Sequence, residues 1–128
     1  MQAYFWIAVG SGLGGMARYW CSGFVANRVG ETFPWGTLTV NVVGSLLIGV
    51  MGALTEADSR VYLAPAARQF VMIGLFGGFT TFSSFSLQTL NLLRDGQWLH
   101  ASGNIVASVI LCLFAVWLGY ALVTAAIR

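Results

Sequence analysis

Four long apolar stretches separated by short polar connections run the length of the chain. They cover residues 4–24, 36–55, 69–93 and 98–127, each near the roughly 20 residues a helix needs to cross about 30 Å of hydrocarbon. The second and third hold no Asp, Glu, Lys or Arg, and the first holds only Arg18. Charges gather in the connections instead: Arg28 and Glu31, then Glu56, Asp58 and Arg60, then Arg94 and Asp95. Pro34 and Pro65 fall in or beside those connections, where a missing backbone donor costs little. Period-2 alternation, which the ~10-residue strands of a membrane barrel would show, is absent. The pattern predicts an all-α membrane protein of four transmembrane helices forming a single domain over 1–128, with connections too short for an extramembrane domain.

Polar residues inside these stretches are not scattered. Thr37, Asn41 and Ser45 recur at i, i+4 and i+8 on one face of the second helix, and Asn104, Ser108 and Cys112 do so on the fourth. The third carries Gly77-Gly78-Phe79-Thr80-Thr81-Phe82-Ser83-Ser84-Phe85-Ser86, five hydroxyls in ten residues. A single Ser or Thr can bond back to its own helix or let helices approach closely. Asn41 has four hydrogen-bonding positions and no such habit. In hydrocarbon, polar side chains face another helix or a watery cavity, and stripes on three helices point to a shared polar path.

Gly77 and Gly78 predict either a packing notch or a break in the third helix. A break at that depth requires burial in protein or a cavity, and its freed carbonyls are oxygen ligands for a hard cation. Phe82 and Phe85, at i and i+3, are either core or lipid-facing residues or an aromatic pair whose positive ring edges face a partly dehydrated anion. Conduction needs binding weak enough to be released. Arg18 either snorkels to the interface or bonds to a helix break or loop carbonyls in the partner.

Composition narrows the function. The chain is 58% hydrophobic and 8% charged, with a mean hydropathy of +0.80; a soluble domain carries about 25% charged residues, so a soluble protein this small could not cover its apolar surface. There is no lysine, and the net charge of +2 is diffuse, which excludes the clustered basic patch that nucleic acid requires. Cys21 and Cys112 have no zinc-type spacing and read as small buried hydrophobes. No His, Asp or Glu constellation supports catalysis, His100 sits at a span end, and an enzyme is not expected. The N-terminus lacks the basic region of a cleaved signal, so the first helix is expected to be retained.

Gly10-Ser11-Gly12-Leu13-Gly14-Gly15 matches the dinucleotide fingerprint literally, but no βαβ unit surrounds it. The same residues supply small-xxx-small spacing for close helix contact. With four crossings, Arg60, Arg68 and Arg128 fall on one side and Arg28, Arg94 and Arg18 on the other. Orientation follows Lys/Arg asymmetry, so this balance predicts insertion in both orientations and permits an antiparallel homodimer.

Three motifs resemble the Fluc fluoride channels, also called the CrcB family, along the whole chain: Gly14-Gly15-x-x-Arg18-Tyr19, the run Gly36 to Ser45, and Gly74-x-x-Gly77 through Ser86. The resemblance implies an antiparallel dual-topology homodimer with two pores, exporting fluoride passively across the bacterial inner membrane. It implies a broken third helix whose backbone carbonyls at Gly77 and Thr80 hold a structural sodium ion that is not transported. It also implies pore roles for Asn41, Phe82 and Phe85, with the hydroxyls of Thr81, Ser84 and Ser108 lining the path, and a structural role for Arg18. The family often has an acid where this chain has Gln88. Two rivals are weaker: a small dual-topology multidrug or cation exchanger requires a glutamate in the first span, which is absent, and a membrane anchor subunit needs no polar stripes.

Overall fold

The computed structural model describes residues 1–56 and 61–127. Arg60 and Arg128, which entered the loop-charge balance, and Asp58 of the second connection lie outside them. All regular structure among the described residues is helical: α1 (Gln2–Val29), α2 (Trp35–Leu54), α3 (Pro65–Arg68), a π-helical stretch (Gln69–Phe76), α4 (Gly77–Phe79), α5 (Phe82–Arg94) and α6 (Trp98–Ile127). Pro65 opens α3 at its first turn, where a proline nitrogen loses no bond. Gly30 (φ 97°) closes α1 and Gly96 (φ 75°) closes α5. The latter end is a Schellman motif, with the Gln97 N–H on the Leu92 carbonyl at 2.8 Å.

Among the described residues three segments are long and apolar enough to cross a membrane: Trp35–Leu54, Pro65–Arg94 taken across its break, and Trp98–Ile127, with mean hydropathies of 1.8, 1.5 and 2.5. α1 is also long, but its glycines, Ser11, Ser22, Arg18 and Asn27 dilute its apolar character, and it is not among the three. The molecule is arranged inside out relative to a soluble domain. Trp20, Trp98, Leu99, Leu113 and Trp117 are exposed, whereas Asn104, 1% exposed, is among the most buried side chains. Such an exterior is suited to lipid.

The third span breaks two residues beyond the glycine pair. Gly77 and Gly78 stay helical, and the extended residues are Thr80 (φ −83°, ψ 156°) and Thr81 (φ −151°, ψ 109°). The glycines serve packing: a Cβ on Gly78 would lie 2.6 Å from the Ser11 carbonyl of α1. Gly10 and Gly14 likewise touch backbone, at Phe70 and Leu75, which gives the glycine motif of α1 its meaning as close helix contact. Before the break the third span therefore lies on α1; after it, α5 lies on α6. α2 runs between and touches both halves.

Candidate functional site: the helix break and its cavities

A break leaves backbone groups without helical partners, and side chains take them over here. Asn41 Nδ2 donates to the Thr81 carbonyl at 3.0 Å, and the Thr81 N–H donates to Asn41 Oδ1 at 2.7 Å. Thr81 caps α5, its hydroxyl accepting from the Ser84 N–H at 3.1 Å and donating to Ser84 Oγ at 3.0 Å. In an unbroken helix those two N–H groups would have gone to the carbonyls of Gly77 and Thr80. The break thus frees the two carbonyls expected to hold a cation. Arg18 resolves toward the break in its own chain: Nη1 lies 3.5 Å from the Thr80 carbonyl oxygen, a long contact.

Two cavities border this point and a third lies beyond one of them. One of about 400 Å³ is bordered by Asn41, Ser45, Thr81, Phe82, Phe85 and Ser108, among others. A second, of about 390 Å³, is bordered by Arg18, Thr37, Thr81, Ser84 and Gln88. A third, of about 920 Å³, opens at the α1–α2 and α5–α6 connections and shares Tyr19, Ser22, Thr37 and Gln88 with the second. Thr81 borders both inner cavities and so stands between them. The stripe of α2 follows the same course. Thr37 faces the two cavities on the mouth side, and Asn41 and Ser45 face the far one, about 12 Å along the axis.

Phe82 and Phe85 border the far cavity with ring centroids 5.3 Å apart and planes at 50°. They differ in exposure: Phe85 is 8% exposed and Phe82 77%. Gly77 is also exposed. The far cavity therefore lies against the outer surface of a single chain.

Several predicted donors already have partners. The Ser108 hydroxyl donates to Asn104 Oδ1 (3.3 Å), Asn104 Nδ2 to Thr89 Oγ1 (2.9 Å), and Thr89 Oγ1 to the Phe85 carbonyl (2.8 Å). This relay holds α5 on α6. Ser84 borders the Arg18 cavity and not the one that holds Asn41 and the phenylalanines. Free donors in the far cavity are the second N–H of Asn41 and the hydroxyl of Ser45, which forms no hydrogen bond among the described residues. Ser45 and Asn104 were visible in the sequence stripes, but spacing alone does not tell which member of a stripe spends its hydrogen inside the protein.

A helical, lipid-suited exterior around cavities on either side of a broken helix defines a small integral membrane protein suited to passing a small polar solute or ion. The CrcB-like protein, camphor resistance (CrcB) family profile matches residues 5–120, and the chain belongs to that family. It is 60% identical over 122 residues to the fluoride-specific ion channel FluC of Methylocella silvestris, covering 95% of this chain and 93% of that protein. It is 59% identical over 120 residues to that of Opitutus terrae (94% and 91% covered), and 52% identical over 119 residues to that of Rhodospirillum rubrum (93% and 92% covered).

Proposed function

We propose that this chain is a fluoride-selective channel that lets fluoride leave the bacterial cell passively across the inner membrane. The observation that carries this reading is the α2 stripe of Thr37, Asn41 and Ser45, which faces the cavities on either side of the helix break. Fluoride carries its charge on a small radius, and its dehydration must be compensated by donors. Along the path these are weak and uncharged: the Thr37 hydroxyl, the remaining Asn41 N–H and the Ser45 hydroxyl. The edges of Phe82 and Phe85 add a positive but diffuse rim. A full counter-charge in the middle would bind the ion too tightly to release it. Arg18 stands to one side, near the Thr80 carbonyl, and draws anions toward the break without lining the far cavity.

The active unit in this reading is an antiparallel pair of chains, each a single transmembrane domain of four crossings with α1 as the fourth. Aromatic residues at both ends of α1, from Tyr4 to Trp6 and from Tyr19 to Phe24, suit the two interfaces. The exposed Phe82 and Gly77 beside an open cavity support completion by a second copy. The freed carbonyls of Gly77 and Thr80 fit a hard monovalent cation, and a sodium ion there would tie the two breaks together electrostatically. No step requires bond making or breaking.

The test is ion efflux from liposomes containing the purified protein. Fluoride is expected to leave rapidly and chloride to be retained. Vesicles that keep fluoride as protein-free vesicles do would end this reading.

A further inference from the structure

We propose that Glu31 and Asp95 act as an electrostatic brake at the mouth of the path, lowering the rate at which anions enter it. The inference rests on the channel reading above and concerns the outer cavity of about 920 Å³. Both carboxylates border that cavity. Each stands beside a glycine in the left-handed region, Gly30 before Glu31 and Gly96 after Asp95. Those turns hold the backbone at the rim. The Asp95 N–H is also bonded to the Asn91 carbonyl at 3.0 Å. Neither acid forms an ion pair among the described residues.

The arginines at the same end are placed differently. Arg28 and Arg94 do not border the cavity, and the Arg28 guanidinium lies 4.9 Å above the Phe24 ring. Arg18 borders only the inner cavity, which shares Thr37 and Gln88 with the outer one. The charged residues that border the outer cavity are thus the two acids, while the arginines of the same end stand outside its lining. In a cleft with low-dielectric walls such charges set the local ion concentration. Their reach is the Debye length, about 30 Å at 0.01 M salt and about 3 Å at 1 M.

The test compares wild type, Glu31→Gln, Asp95→Asn and the double variant in fluoride efflux from liposomes at several ionic strengths. Neutralising one acid is expected to raise the rate ~2-fold at ~0.01 M salt, and both ~3-fold, with the difference gone near 1 M. Asp95→Glu, which keeps the charge, should restore the slow rate and so separates charge from loop packing. Equal rates at every ionic strength, or a gain that salt does not remove, would overturn the brake. A larger change from Arg28→Gln than from the double variant would also overturn it, by placing the controlling charge outside the cavity. If wild type itself passes no fluoride, the channel reading falls and the brake with it; if wild type conducts and the variants match it, only the brake falls.

Discussion

The two halves of the third span are joined by only two extended residues, yet they are held by different forces. From Gln69 to Phe79 the span lies on α1 through backbone contact. At Gly10, Gly14 and Gly78 a Cβ would come within 2.6 Å of a carbonyl oxygen on the opposite helix. From Phe82 onward the span lies on α6 through the Ser108–Asn104–Thr89 relay, with a cavity of about 400 Å³ alongside. Backbone contact leaves no space on the α1 side, and this half reaches the far cavity only at its end, through Phe76 and Gly77. Side-chain hydrogen bonding keeps the second half in place at a larger separation and leaves polar atoms along it. One half is a scaffold and the other a passage wall, and the break at Thr80–Thr81 is where one becomes the other.

Experiments that pull the two halves apart follow from this. The largest effect is expected at the passage wall: Phe82→Ile or Phe85→Ile should reduce fluoride efflux at least ~100-fold, about 3 kcal/mol of barrier. The purified protein should elute as wild type does. Unchanged flux in both variants would remove the phenylalanines from the path. On the scaffold side, Gly14→Ala puts a Cβ 2.2 Å from the Leu75 carbonyl oxygen, and the helices must separate at a cost of about 3 kcal/mol. Thermal unfolding in detergent should report that loss, whereas Gly12→Ala, with nothing within 4 Å of the new Cβ, should unfold as wild type does. Equal stability of the two variants would contradict the backbone contact.

Asn41→Leu acts at the junction. It leaves the Thr81 N–H and carbonyl without partners, costing about 2 kcal/mol, and it removes a donor from the path. Both unfolding temperature and flux should fall, and a fall in only one would separate its two roles. The smallest effect belongs to Asn104→Leu, about 1 kcal/mol, because polar pairs between helices in lipid are individually modest. Stability should drop slightly while selectivity for fluoride over chloride stays. Lost selectivity would make the relay part of the passage and not merely its support.

Helical spans, their approximate limits and the polar faces of α2 and α6 were legible in the sequence, because helix period and hydrophobic length are local properties. The small-xxx-small contact of Gly10 and Gly14 was legible for the same reason. The position of the break was not. Two adjacent glycines look like the weak point of a helix, but Gly78 packs its backbone against Ser11 of α1 and both glycines stay helical, which only a neighbouring chain segment can decide. Thr80 and Thr81 became the break because Asn41, forty residues earlier, supplies the donor and acceptor that replace a helical bond.

The same division applies to the hydroxyls. Composition alone determined that this chain belongs in a bilayer and that polar atoms must be gathered away from lipid. Which hydrogens remain available there was decided by tertiary structure, since Ser108 and Thr81 give theirs to neighbours while Ser45 does not. A hydroxyl has one hydrogen to donate, and no residue pattern states where that hydrogen points until the helices are packed.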